Sequence, residues 1–171
     1  MNDRLGWGII GCGDVVEKKS GPSLAQARRS RIVGMMRRDR SRAEALAGRF
    51  GAWGTDDARA VLEHREVDVV YVATPPSSHM EYVVAAAQAG KHVLVEKPMA
   101  MSAAQGRRMV EAARQAGVRL FAAYYRRFHP HLRHVRDQIA AGRIGRPVQA
   151  FIDLAKRSTV DPERDWLIDP A

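Results

Sequence analysis

Short apolar runs rich in β-branched residues alternate along this chain with longer amphipathic stretches, and that alternation leaves few folds open to it. Strands are expected near Leu5 to Ile10, Arg31 to Met36, Val67 to Ala73, His92 to Val95 and Arg119 to Ala123. Several are apolar at consecutive positions, as in Val69-Val70-Tyr71-Val72-Ala73, which means burial on both faces, the condition of a central parallel strand. Between them, Ser41-x-x-Glu44 and Ser102-x-x-Gln105 fit the capping box of a helix start, and Gly51, Gly90 and Gly117 stand where helices should stop. The order is βαβαβα. With right-handed crossovers it gives an α/β chain built on an open, doubly wound parallel sheet, whose ligand site lies beyond the carboxyl ends of the strands.

That domain is expected over 1–123. From Tyr124 the pattern changes: Tyr124-Tyr125-Arg126-Arg127-Phe128 leads through Pro130 into a helix of about three turns that ends near Gly142. The stretch 124–146 thus reads as a connecting segment and helix, closed by Gly145-Arg146-Pro147. A last strand is expected from Val148 to Leu154, with Val148, Ala150, Ile152 and Leu154 on one face. Too few residues follow to build the sheet such a strand needs, so 147–171 is expected to be the start of a truncated α+β domain.

Composition narrows the classes further. A 46% hydrophobic content over 171 residues can supply a real core. The single cysteine, Cys12, excludes an internal disulfide framework and a Cys-rich zinc site and suits a reducing cytoplasm, the expected location. No run is long enough to cross a membrane, and the short apolar start lacks the length and cleavage site of a signal peptide. The net charge of +9 raises nucleic-acid binding as a question. The positive residues are mostly arginines spread through the chain, clustered tightly only at Arg28-Arg29-x-Arg31 and Arg37-Arg38-x-Arg40-x-Arg42, so no specific nucleic-acid partner is expected.

Chemistry concentrates where strands end. The first strand runs into Gly11-Cys12-Gly13-Asp14-Val15-Val16, the first two glycines of the Rossmann fingerprint with Val16 in place of the third. Gly11 permits the tight turn and Gly13 lets the backbone approach a pyrophosphate held by amides at the following helix start, around Asp14 and Val15. Val16 implies looser helix packing or a displaced helix start. After the second strand, Arg37 and Arg38 stand where an acid would bind a ribose 2′-hydroxyl; guanidinium groups there grip a 2′-phosphate and favour NADP(H) over NAD(H). Asp39 reads either as a cap of the next helix or as the ribose acid. The third strand is followed by Thr74-Pro75-Pro76-Ser77-Ser78-His79, a rigid turn that can wall a cofactor groove, although His79 also reads as a solvated first-turn residue. The fourth ends in Glu96-Lys97-Pro98, an acid and a lysine at the same edge. A lysine beside a cationic nicotinamide can exchange a proton near neutrality, and a cis bond at Pro98 could aim it into the cleft.

Taken together, Gly8-Ile9-Ile10-Gly11-Cys12-Gly13, Ala73 to His79, Gly90-Lys91-His92-Val93-Leu94-Val95-Glu96-Lys97-Pro98 and Tyr124 to Pro130 make the chain resemble the Gfo/Idh/MocA oxidoreductases. The resemblance implies that Lys97 is the active-site lysine, contacting the nicotinamide ribose and the substrate hydroxyl, with Glu96 on the ribose and the Tyr124 to Phe128 segment, Arg127 above all, at the nicotinamide end. It implies that Thr74, Pro75, Pro76 and His79 belong to the cofactor groove. Tyr125 stands where such proteins often have asparagine. The resemblance further implies a second domain for substrate binding and oligomerisation; Trp166 to Pro170 is similar to its approach segment, and the family's catalytic histidine and supporting aspartate are expected after Ala171.

His131 and His134 share a helix face without further ligands in sight, so no metal site is expected. Tyr-x-x-x-Lys and G-x-x-x-x-G-K-[ST] are both missing, which excludes short-chain dehydrogenases and phosphate-loop enzymes. The expected function is hydride transfer between NADP(H) and a hydroxyl-bearing carbon of a sugar, polyol or related small molecule, with negligible turnover by this chain alone. The alternative is a non-catalytic dinucleotide-binding sensor, or a subunit whose edge strand a homo-oligomer or other partner would complete.

Overall fold

The computed structural model describes residues 3–153. Two compact units divide at Ala123 and Tyr124. The first contains β1 (Leu5–Ile10), α1 (Gly21–Gln26), β2 (Ser30–Met36), α2 (Arg40–Gly48), β3 (Trp53–Thr55), α3 (Ala58–Glu63), β4 (Val69–Val72), α4 (His79–Gln88), β5 (His92–Val95), α5 (Ala103–Gln115) and β6 (Leu120–Ala122). The second contains a 3-10 turn at Tyr125–Phe128 and α6 (Pro130–Ala140).

The six strands form one parallel sheet in the order β3-β2-β1-β4-β5-β6. The chain winds outward from β1 through β2 to β3, then returns to the other side of β1, so the topological switch lies between β1 and β4. Consecutive residues feed opposite faces, as the two-residue period of a strand requires. Ile9 and Tyr71 join Val16, Ile32, Met35 and the α2 residues Ala43, Leu46 and Ala47 on one face. Ile10, Val70 and Val72 join Val61 of α3, Val83 and Ala86 of α4 and Met109 of α5 on the other. At about 1.5–3 kcal/mol for each large apolar side chain buried, these two layers dominate the stability of the sheet.

Five of the six strands fall where the apolar runs predict them. The sixth, β3, has three residues with Gly54 in the middle, too short for any periodicity to be legible, and it forms because Gly34, Met35 and Met36 of β2 offer a free edge. Helix ends follow their local chemistry. Gly51, Gly90 and Gly117 adopt φ of +66°, +72° and +66°, the left-handed conformation that ends a helix with least strain at glycine. Ser102 Oγ accepts the Gln105 backbone N–H at 3.2 Å while Gln105 Oε1 accepts from the Met101 N–H at 3.0 Å, a close variant of the expected box. The expectation for Ser41 needs correction: α2 starts two residues earlier, and Asp39 is its cap, accepting the Arg42 N–H at 3.1 Å. A carboxylate at that position competes better than a hydroxyl for an orphan N–H at a positive helix end.

The strand expected from Val148 to Leu154 is not formed within the described residues. Residues 147–153 carry no ladder partner, and Val148, Phe151 and Ile152 are 89%, 87% and 92% exposed. An extended segment without a neighbour has nothing to satisfy its backbone groups or cover its apolar face. Leu154 and the Trp166 to Pro170 stretch lie outside the described residues.

Candidate functional site

Because the strands are parallel, their carboxyl ends line one edge, and the loops leaving β1, β2, β4 and β5 emerge there. The backbone marks the boundary: Gly11 N donates to Met36 O at 3.0 Å, Ala73 N to Ile10 O at 2.8 Å and Glu96 N to Val72 O at 2.9 Å.

Gly11 and Gly13 divide the work of the first turn. Gly11 has φ +91°, and a Cβ on it would sit 2.6 Å from both Thr74 N and Thr74 Cγ2, so the turn after β1 and the loop after β4 touch backbone to backbone. A Cβ on Gly13 would meet nothing within 4 Å. Packing inside the protein therefore gives no reason for a glycine at 13, whereas close approach of a ligand's phosphates does. The helix after the turn answers the question raised by Val16. Asp14 and Val15 are helical, a π-helical turn spans Val16–Ser20, and α1 follows directly. Val16 itself is fully buried beside Ile9 and Cys12, so the extra width of the π turn takes up the side chain that a third glycine would have spared. Asp14 pairs with Lys18 at 2.8 Å, and Val15 is 45% exposed at the helix start.

The turn is latched to the end of β2. Cys12 N and Cys12 Sγ both donate to Met36 O, at 3.2 and 3.3 Å, and Arg37 Nη1 donates back to Cys12 O at 3.2 Å. Burial pushes the Cys12 thiol up from its ordinary pKa, against the opposing charge of Arg37, so this thiol stays protonated and structural. Asp39 is held below the usual carboxylate range, first by the Arg42 N–H it accepts, then by the Ser41 hydroxyl, with the charges of Arg42 and Arg37 adding to the effect. Arg40 is paired with Glu44 and Arg42 with Asp39. Arg38 is exposed and makes no hydrogen bond or ion pair among the described residues. Of the cluster after β2, it is the cation left for an incoming anion.

On the other side of the switch, Thr74 Oγ1 accepts from Ser78 Oγ at 2.9 Å, stiffening the Thr74-Pro75-Pro76 loop; Pro75 is exposed and Pro76 opens a 3-10 turn, Pro76–Ser78. One of the two readings of His79 needs correction. The residue is 0% exposed, so it is not solvated, and its ring faces main-chain carbonyls on both sides, Pro98 O from Nδ1 at 3.0 Å and Thr74 O from Nε2 at 2.8 Å. Sequence reasoning missed this because nothing local distinguishes a buried first-turn histidine from an exposed one.

The loop after β5 carries the reactive candidates. Tyr71, buried in the middle of β4, donates its hydroxyl to Glu96 Oε1 at 2.7 Å, and Glu96 Oε2 accepts the Lys97 N–H at 3.0 Å. The Lys97–Pro98 peptide bond is cis. Lys97 is exposed, and its ammonium makes no hydrogen bond or ion pair among the described residues. The edge thus assembles an open glycine turn, an unpaired guanidinium, a braced carboxylate and an unpaired ammonium around the switch point, a donor set suited to a dinucleotide's phosphates and riboses.

A family model described as an oxidoreductase family with an NAD-binding Rossmann fold, GFO_IDH_MocA, matches residues 5–124. The chain belongs to the Gfo/Idh/MocA oxidoreductases. It therefore carries that family's dinucleotide-binding fold, as the four motifs implied. Over 156 residues it is 37% identical to Oxidoreductase P35 of Formosa agariphila, covering 90% of this chain and 48% of that protein. Among solved structures it is similar to KijD10, a 3-ketoreductase from Actinomadura kijaniata in complex with NADP, with 34% identity and a TM-score of 0.78 over 83% of this chain and 45% of that one. It is also similar to the WlbA dehydrogenase of Bordetella pertussis in complex with NADH and UDP-GlcNAcA, with 32% identity and a TM-score of 0.77 over 84% and 44%. The chain spans about half the length of these relatives.

The remaining expected residue, Arg127, lies in the second unit. There it sits in the 3-10 turn, its guanidinium 5.5 Å from the Phe128 ring centroid, and lines an open concavity with Tyr124, Leu132 and Arg136. His129 stacks near Tyr125 and His131, and no group of three metal-ligating side chains occurs among the described residues. No helix among them is long and apolar enough to cross a membrane.

Proposed function

We propose that this chain is the cofactor-binding part of an NAD(P)-dependent oxidoreductase that acts on a hydroxyl-bearing carbon, or the matching ketone, of a sugar or sugar derivative. The observation that carries the reading is Gly13: a glycine with empty space where its Cβ would be, at the carboxyl edge of β1, the same sheet edge from which an unpaired Arg38 and an unpaired Lys97 emerge. Sugar chemistry is supported by relatives such as KijD10, a 3-ketoreductase, and WlbA, solved with UDP-GlcNAcA.

The nicotinamide, when bound, supplies or accepts the hydride. The chain's own residues do the rest. Backbone amides around Gly13, Asp14 and Val15 take the pyrophosphate. Glu96, fixed by Tyr71, accepts from a ribose hydroxyl. Lys97 gives a proton to the substrate oxygen on reduction and takes it back on oxidation. Thr74, Pro75 and Pro76 wall the groove, and Arg127 serves the nicotinamide end.

NADP(H) is favoured because the carboxylate that would bind a 2′-hydroxyl, Asp39, is engaged as a helix cap, while Arg38 is unengaged. Arg37 plays a lesser part, since one of its nitrogens already holds the glycine turn. The test is a pair of fluorescence titrations of the 171-residue chain with NADPH and NADH. Arg38→Ala is expected to weaken NADPH about 10- to 100-fold, the worth of a charge-assisted phosphate contact, and to leave NADH nearly unchanged. Equal loss for both cofactors would reject the 2′-phosphate reading, and binding of neither by the wild type would reject the site.

A further inference from the structure

Among the described residues, His79 is the one fully buried histidine. No step of the chemistry above uses it. It begins α4 between the two loops that wall the groove, and both of its ring nitrogens face oxygen atoms that can only accept: Pro98 O at 3.0 Å and Thr74 O at 2.8 Å. A neutral imidazole has one N–H and one lone pair, so one of the two contacts would set lone pair against lone pair away from solvent. Only the doubly protonated ring donates to both oxygens and leaves neither unsatisfied. The positive end of α4 works against a cation there.

The position of this bridge matters because of the residue beside it. The Lys97 ammonium has no partner among the described residues, so its aim is set by its backbone. That backbone is held on one side by Glu96 Oε2 and on the other by the Pro98 carbonyl. We propose that His79 is a positioning residue for Lys97: an imidazolium that donates to Pro98 O and Thr74 O and fixes the loop presenting the lysine against the loop that walls the cofactor groove. The role rests on the reading of Lys97 given above; the hydrogen-bond pattern does not.

Ring nitrogens report this directly. In a long-range proton–nitrogen correlation spectrum of the 15N-labelled chain at neutral pH, both His79 nitrogens are expected at the shifts of protonated nitrogens, the signals being identified by their loss in His79→Gln. A pyridine-type nitrogen at either position overturns the bridge, whether or not a His79 variant folds. In a folded His79→Phe variant, the Lys97, Met99 and Thr74 amides are expected to shift or broaden, and the NADPH Kd to rise about fivefold, the factor equivalent to one hydrogen bond. Unmoved amides and affinity in that variant also overturn it. Lys97→Ala separates the two ideas. It is expected to keep both ring nitrogens protonated while weakening NADPH; unchanged affinity would reject the reading of Lys97 and leave the bridge standing.

Discussion

Changing Gly13 to alanine should separate binding from folding. The φ of Gly13 lies outside the left-handed region and a new methyl would meet no protein atom within 4 Å, so the folded state gains no clash. An alanine also lowers the entropy of the unfolded chain, and the net change in stability should lie within about 1 kcal/mol of zero. For a chain of this size that is a shift of about 2–4 °C or less. In the proposed site the same methyl stands between the cofactor's phosphates and the backbone amides, so NADPH affinity should fall at least about tenfold, equivalent to about 1.4 kcal/mol. Gly11→Ala is the control with the opposite signature. At φ +91°, with Thr74 N 2.6 Å from the new Cβ, it should cost about 1–3 kcal/mol from backbone conformation alone, before the clash is counted, and depress the melting temperature accordingly. Thermal denaturation and NADPH fluorescence titration on the two variants read both axes. A Gly13→Ala protein that melts like the wild type and binds NADPH with the same Kd would refute the placement of the pyrophosphate at this turn.

Other perturbations test other links of the argument. Asp39→Ala should lower the melting temperature by uncapping α2, and by more than Ser41→Ala does; the reverse ranking in thermal denaturation would restore Ser41 as the cap. Tyr71→Phe frees one oxygen of Glu96 and should weaken NADPH and NADH alike, about fivefold, because a ribose contact does not read the 2′ position; selective loss of one cofactor would contradict it. Glu111 is pushed down to about 2 by the hydrogen bonds of Arg114 and then Gln115. A depressed folded-state pKa means stability that is present above the ordinary value of 4.5 and lost as pH falls toward 2. Glu111→Gln should therefore flatten that part of the acid limb in pH-dependent melts, with little effect at pH 7; an unchanged acid limb would show that the exposed pair contributes nothing measurable.

Much of the fold was legible because its signals are local. Consecutive buried β-branched residues can only be central strands, and Gly51, Gly90 and Gly117 mark helix ends by backbone sterics that no neighbour alters. β3 was invisible because its three residues owe their conformation to the free edge of β2. Ser41 was preferred over Asp39 because the two compete for the same helix start and the choice depends on where the chain leaves β2. The segment from Val148 has the pattern of a strand, but pattern cannot supply the partner that makes one.

The site divides along the same line. The sequence by itself determined which residues reach the carboxyl edge, since each of Gly11, Gly13, Arg37, Arg38, Thr74, Glu96 and Lys97 follows a strand end at a fixed offset, and it determined the family through the motifs those offsets create. Tertiary structure alone decided how they are used. Arg37 turns back to the Cys12 carbonyl while Arg38 stays unpaired, Asp39 caps a helix, and Tyr71 reaches from the buried core to brace Glu96. His79, read from its neighbours either as part of the groove wall or as a solvated first-turn residue, is buried between two carbonyl groups 24 residues apart in the chain. The reason is that a hydrogen-bond partner supplied by another strand's loop leaves no mark on the local sequence, whereas periodicity, capping and turn chemistry do.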